Sequence, residues 1–186
     1  MESYIETLMK QLPSSPIELS EKNRKKIHQL LPVPSDYTIN WADILSFGGY
    51  PCGVVLTDQG IIIKAPKSTV KKENSRRKNE QTDENGEDEP LKVLFQIIPW
   101  EYFEPSSFTI VKLANGHYSL RVNGAELTEF SNPDLSKFIN NCSIEDHRIK
   151  EQIKDTVENA TLSGIGTIDL ENTAYHAAYG ADQTKT

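Results

Sequence analysis

Across residues 51–130, short runs of β-branched and aromatic residues alternate with turn signals, and one long charged insertion interrupts the series. Runs this short, bounded by Gly, Asn and Asp, suit strands and reversals rather than helices, so the stretch is expected to fold as one small antiparallel β-module. Val54-Val55-Leu56 and Ile61-Ile62-Ile63 flank Thr57-Asp58-Gln59-Gly60, which predicts a hairpin with Gly60 at positive φ and Asp58 serving the turn. Residues 91–98 are apolar enough to predict a central strand, closed by Pro99-Trp100-Glu101-Tyr102-Phe103. Residues 108–113 and 117–122 flank Asn115-Gly116, a hairpin signal, and Asn123-Gly124 predicts a further reversal before a short strand over residues 125–130. Tyr118, Leu120 and Val122 alternate with Ser119 and Arg121, as in a strand with one face on a core and one in water.

Helices are predicted on both sides. Residues 1–34 read as two helical pieces broken at Leu12-Pro13-Ser14-Ser15-Pro16, with Ser15, Pro16 and Glu18 fitting a capping box and Ser20 a rival cap. Leu19, Ile27, Leu30 and Leu31 form an apolar stripe, and Lys22, Arg24, Lys25 and Lys26 form a basic cluster read as a solvated outer face. Trp41, Ile44, Leu45 and Phe47 run into the turn residues Gly48-Gly49-Tyr50-Pro51, so strands are expected only after them. Past the module, Asn132 caps a helix opened by Pro133, with Leu135, Phe138 and Ile139 on its apolar face. Ser143 and Asp146 predict a second helix start, with Ile149, Ile153, Val157 and Ala160 at helical spacing covering an open end of the β-module. The expected organisation is N-terminal helices over 1–34, a β-module over 35–142, a C-terminal helix over 143–162, and a weakly patterned tail over 163–186 that reads as a linker to a further domain.

The insertion spans residues 67–90. Its first half is basic, with Lys71, Lys72, Arg76, Arg77 and Lys78 as candidate anion contacts, and its second half is acidic. With no apolar periodicity it cannot offset the entropy of ordering and is expected to be disordered, its acids competing with any outside anion for the same cations. A formal charge of −7 argues against nonspecific attraction to nucleic acid. The N-terminus lacks a basic and apolar leader, and no apolar run approaches the ~18 residues of a membrane span, so a cytoplasmic location is expected.

The residue types that carry catalysis are scattered. Cys52 and Cys142 lie far apart without a CxxC partner and read as buried thiols, and Cys142 with His147 lacks a third, orienting group. His28, His117, His147 and His176 fall in four segments without metal-ligand spacing, with His117 expected to be exposed. Gly164-x-Gly166 lacks the third glycine of a dinucleotide fingerprint. Asp36, Asp43 and Asp58, with Glu101 and Glu104, are the carboxylates near the module, and Glu101 beside Trp100 suggests a mixed apolar and polar recognition surface. No enzyme activity, metal or cofactor is expected.

Leu56-Thr57-Asp58-Gln59-Gly60 and Ile98-Pro99-Trp100, with the later strands and a closing helix, resemble bacterial pleckstrin-homology-like domains over about residues 41–142. The resemblance implies an α+β fold, a bent antiparallel β-barrel or sandwich capped by a helix, used as a platform for contacts rather than for catalysis. The insertion departs from that pattern, and lipid binding is not carried over. The expectation is a non-enzymatic cytoplasmic interaction module with a protein partner of unknown identity, contacted through Trp100, Glu101, Tyr102 and Phe103, with homo-oligomerisation left open. Two alternatives stand beside it: the regulatory N-terminal part of a larger effector such as a nuclease or toxin, and a peripheral anionic-lipid or nucleic-acid binder acting through the basic half of the insertion.

Overall fold

The computed structural model describes residues 3–46, 49–69 and 95–162, and within them helices combine with two antiparallel sheets that do not close into a barrel. The first sheet runs in the order β1 (Ile39–Leu45), β2 (Cys52–Thr57), β3 (Gly60–Lys64) and β4 (Phe95–Pro99), and the second in the order β5 (Phe108–Lys112), β6 (Tyr118–Val122) and β7 (Ala125–Phe130). Helices α1 (Tyr4–Lys10), α2 (Glu21–Leu30) and α3 (Pro133–Leu162) flank them.

The first sheet is apolar on both faces. Trp41, Val54, Leu56, Ile61 and Ile63 point toward the second sheet, where Leu120 and Phe130 meet them together with Leu135, Phe138, Ile139 and Cys142 of α3 and Ile5 of α1. Ala42, Ile44, Val55 and Ile62 point the other way, beneath Ile27 of α2 and the following Leu31 and Val33. That double covering is why β2 and β3 are buried at every position and read in sequence as unbroken Val/Ile/Leu runs.

Five sequence expectations need correction. Strands begin before the Gly-Gly turn, because β1 is a strand; a register shift between Ile39 and Trp41 breaks its alternation, so that Ile39, Ala42 and Ile44 share one core while Trp41 faces the other. The run ending at Ile98 is an edge strand, with Phe95, Gln96 and Ile97 exposed; residues 91–94 lie outside the described ones. Gly60 does not have positive φ; it is required because a Cβ there would overlap the Ile98 carbonyl oxygen across the β3–β4 ladder. Ser119 is buried rather than solvated, its hydroxyl donating to Glu126 Oε2 at 2.8 Å. The two C-terminal helices are one helix of 30 residues, about 45 Å long at 1.5 Å per residue, since nothing at Cys142-Ser143 breaks it.

The caps also fall differently. Ser20 caps α2 through Asn23 N, whereas Ser15 reaches the free edge of β1, accepting from Ala42 N at 3.0 Å and donating to Ala42 O at 2.8 Å. Ser3 and Glu6 make the reciprocal capping box on α1, with the same Ser-x-x-Glu spacing that Ser15 and Glu18 show without forming one. Asn132 caps α3 as expected, accepting from Asp134 N at 2.8 Å. Both Asn-Gly pairs make hairpins. Asn123 and Gly124, with φ of 51° and 79°, form the two-residue reversal between Val122 and Ala125; the Leu113–Gly116 bond followed by Gly116 at φ 86° makes a turn closed by a glycine bulge.

Candidate functional site

The segment after β4 is a corner held from below and displayed above. Pro99 ends the strand, and residues 100–102 form a single 3-10 turn, in which side chains three apart stand on one side. Trp100 and Phe103 therefore turn inward together. Their rings meet edge to face at 5.4 Å, Trp100 also packs edge-on to Phe138 of α3 at 6.5 Å, and Phe103 lies 5.4 Å from Phe108. Trp100 is bound to the β2–β3 turn as well, its indole Nε1 donating to Thr57 O at 3.0 Å and its backbone N–H to Gln59 O at 3.1 Å. Thr57 closes that turn, its hydroxyl donating to Gly60 O and accepting from Gly60 N and Gln59 N.

The four candidate contact residues are thus split. Phe103 is buried and Trp100 half-buried, so both belong to the scaffold, while Glu101 is exposed and Tyr102 is 71 % exposed. Trp100→Ala removes ring contacts and strands the Thr57 carbonyl, so it is expected to lower unfolding free energy by about 3 kcal/mol, against less than ~0.5 kcal/mol for Tyr102→Ala. Urea unfolding of both variants checks it, and equal losses would remove the distinction between scaffold and display.

Several other polar groups among the described residues are engaged in structure. Asp43, 2 % exposed, accepts from Ser131 N at 2.7 Å, Asn132 N at 2.6 Å and Ser131 Oγ at 2.9 Å. Asp58 accepts from Thr38 N at 2.7 Å, which ties the β2–β3 turn to the start of β1. Lys64 donates to Leu30 O at the end of α2 at 2.8 Å and lies over the Tyr50 ring at 5.1 Å, a favourable place for a cation at a helix C-terminus. Burial lowers its pKa, opposed by the nearby Cys52. Arg24 of the basic cluster donates to Leu19 O and Ile39 O, and Lys25 pairs with Glu21 at 2.6 Å.

The thiols are buried as expected. Desolvation first, then neighbouring carboxylates, pushes Cys52 up to about 11, and desolvation with Asp146 pushes Cys142 up to about 12, so both are held as neutral thiols. Cys142 and His147 do not meet as a pair: five residues along α3 puts them about 140° apart around the helix axis, Cys142 in the core and His147 in solvent. His28 Nδ1 lies 3.2 Å from Val33 O, and His117 is half-exposed with Nδ1 3.9 Å from Glu129 Oε2. No group of three His, Cys, Asp or Glu side chains converges at metal-binding distance among the described residues. None of the described helices is long and apolar enough to cross a membrane. Lys71, Lys72, Arg76, Arg77 and Lys78, and with them His176 and Gly164-x-Gly166, lie outside the described residues.

Comparison with protein-family models, with curated proteins and with solved structures gives no match to this chain.

Proposed function

We propose that this chain is a non-enzymatic, cytoplasmic protein-interaction module on a bacterial pleckstrin-homology-like core. A four-stranded sheet, a three-stranded sheet and a long C-terminal helix packed into the same core support that reading of the fold, in its sandwich form.

The observation that carries the function is the corner at Tyr102. An exposed aromatic normally gives up rotamer and backbone freedom when a partner binds; here the backbone beneath it is already held by Trp100, Phe103 and the Thr57–Gly60 turn. Tyr102 with Glu101 offers a large amphipathic contact at low ordering cost, the character of an interface hot spot. The test is affinity capture from native cell extract, at low and high salt, with the intact chain and with Tyr102→Ala. A protein partner retained at high salt and weakened roughly tenfold or more by Tyr102→Ala is the expected result. Undiminished capture by the variant removes Tyr102 from the contact surface.

A further inference from the structure

Sheet edges are exposed rows of backbone donors and acceptors, and proteins guard them with charges, proline or a covering segment. Four strands here lie at sheet edges, and three carry charge: Asp43 in β1, Lys112 in β5, and Glu126 and Glu129 in β7. β1 is further closed by Ser15 on Ala42 and by Arg24 on Ile39. β4 differs. Its sequence, Phe95-Gln96-Ile97-Ile98-Pro99, has no charged residue, its proline stands only at the last position, and no hydrogen bond closes its outer side among the described residues. Phe95 is 48 % exposed and Ile97 36 % exposed, and they lie on one face, opposite Lys64 and Ile62.

The direction of the backbone groups follows from the ladder. Trp100 N–H bonds Gln59 O, so in the two-residue repeat of an antiparallel pair Ile98 and Gln96 bond inward to β3, while Phe95, Ile97 and Pro99 direct their backbone groups outward. Proline at an outward position fits, because its missing N–H leaves no ladder bond unmade.

We infer that β4 is a homodimer interface, pairing antiparallel with β4 of a second copy about a two-fold axis at Ile97. In that register Ile97 exchanges N–H and C=O bonds with Ile97 of the second copy, and Phe95 N–H meets the Pro99 carbonyl of the second copy, so the donor absent from Pro99 falls at the end of the ladder. Phe95 lies across from the Pro99 ring and Ile97 from itself, one apolar strip covering its own image. The occupant is a second copy because the contact is self-complementary, as a two-fold interface requires, and because an uncharged strip is where two chains of net charge −7 meet with least repulsion. The pairing consumes the open edge of both copies and stops at two. This inference is independent of the Tyr102 surface: one concerns self-association, the other capture of a different protein.

Sedimentation of the intact chain between roughly 5 and 200 µM, a range suited to a small interface, is expected to show a monomer–dimer equilibrium. Ile97→Lys, which places a charge on the outer edge, is expected to weaken dimerisation at least tenfold, while Ile144→Lys, on α3 at 64 % exposure, leaves it unchanged. A wild-type chain that is monomeric throughout the range overturns the inference, as does a dimer that tolerates Ile97→Lys or is lost equally with Ile144→Lys. The wild-type protein gives a second test that no folding defect can confuse. The outward Ile97 amide should exchange with solvent quickly in dilute solution and at least tenfold more slowly in concentrated solution, and an exchange rate independent of concentration equally overturns the β4 interface.

Discussion

Gly53→Ala is expected to lower the unfolding free energy by about 3–4 kcal/mol, the sum of backbone strain and a collision that neighbouring strands cannot relieve. Gly53 has φ of 141°, which L side chains rarely adopt, and a Cβ there would overlap the Asp43 carbonyl oxygen and stand 3.0 Å from Ile44 Cα. Both obstacles are backbone atoms. Because β2 is paired with β1 at Ile44 and with β3 at Lys64, it cannot move away from one without breaking register with the other. Gly116→Ala supplies the comparison, since φ there is also positive, at 86°, but the space around it is open. It is expected to cost about 1 kcal/mol, from conformation alone. Urea unfolding midpoints at constant slope measure both, and equal losses would mean that the close approach to Asp43 has no energetic consequence.

Much of the β-module was legible because local chemistry and global fold agree there. The β2–β3 hairpin, the two Asn-Gly reversals, β7 and the Ile27 and Leu31 stripe all follow from periodicity and turn residues within a few positions. The failures share a cause: each needed knowledge of what lies on the far side of an element. An apolar run shows that a strand can be buried, not that it is, so β4 read as central although it lies at the edge of the described sheet with Phe95, Gln96 and Ile97 exposed. The bulge at the start of β1 shifts Ile39 onto the face of Ala42 and Ile44, which erased the alternation that would have marked a strand. Ser143 and Asp146 have capping spacing, but a cap needs a chain that enters from outside the helix, and at Cys142 the chain is already helical and buried in the core.

At the candidate site the right segment was legible and its division was not. In sequence, residues 100–103 read as one surface, whereas a 3-10 turn sends Trp100 and Phe103 to one side and leaves Glu101 and Tyr102 on the other. The signal was present: a proline followed by two aromatics three positions apart is the spacing at which side chains eclipse in that turn. Asp43 is the opposite case. A carboxylate within Trp41-Ala42-Asp43-Ile44 stands out in an apolar stretch, but its partners are 88 and 89 positions away and nothing local points to them.

Asp43→Ala is accordingly expected to cost about 4 kcal/mol and Asp43→Asn about 3 kcal/mol, the range for removing one side of a buried, charge-assisted cluster. One carboxylate takes the Ser131 amide, the Ser131 hydroxyl and the Asn132 amide where β7 hands over to α3, next to the positive end of that helix. Alanine leaves those part-buried donors without their acceptor, and asparagine restores one oxygen while turning an NH₂ group toward a remaining donor. Asp58→Ala loses a carboxylate bond of similar length, to Thr38 N at 2.7 Å, but on an exposed turn where water can replace it, and should cost only about 1 kcal/mol. Urea unfolding gives the three magnitudes, and amide exchange at Ser131, Asn132 and the first turn of α3 locates the loss. If Asp43→Asn matches Asp58→Ala and exchange at the start of α3 stays slow, the junction is held by the packing of Phe130, Leu135 and Phe138 rather than by the carboxylate. If exchange there accelerates at least tenfold while β2 and β3 stay protected, Asp43 is the tie that seats α3 on the sheets, and with it the ring of Phe138 on which Trp100 rests.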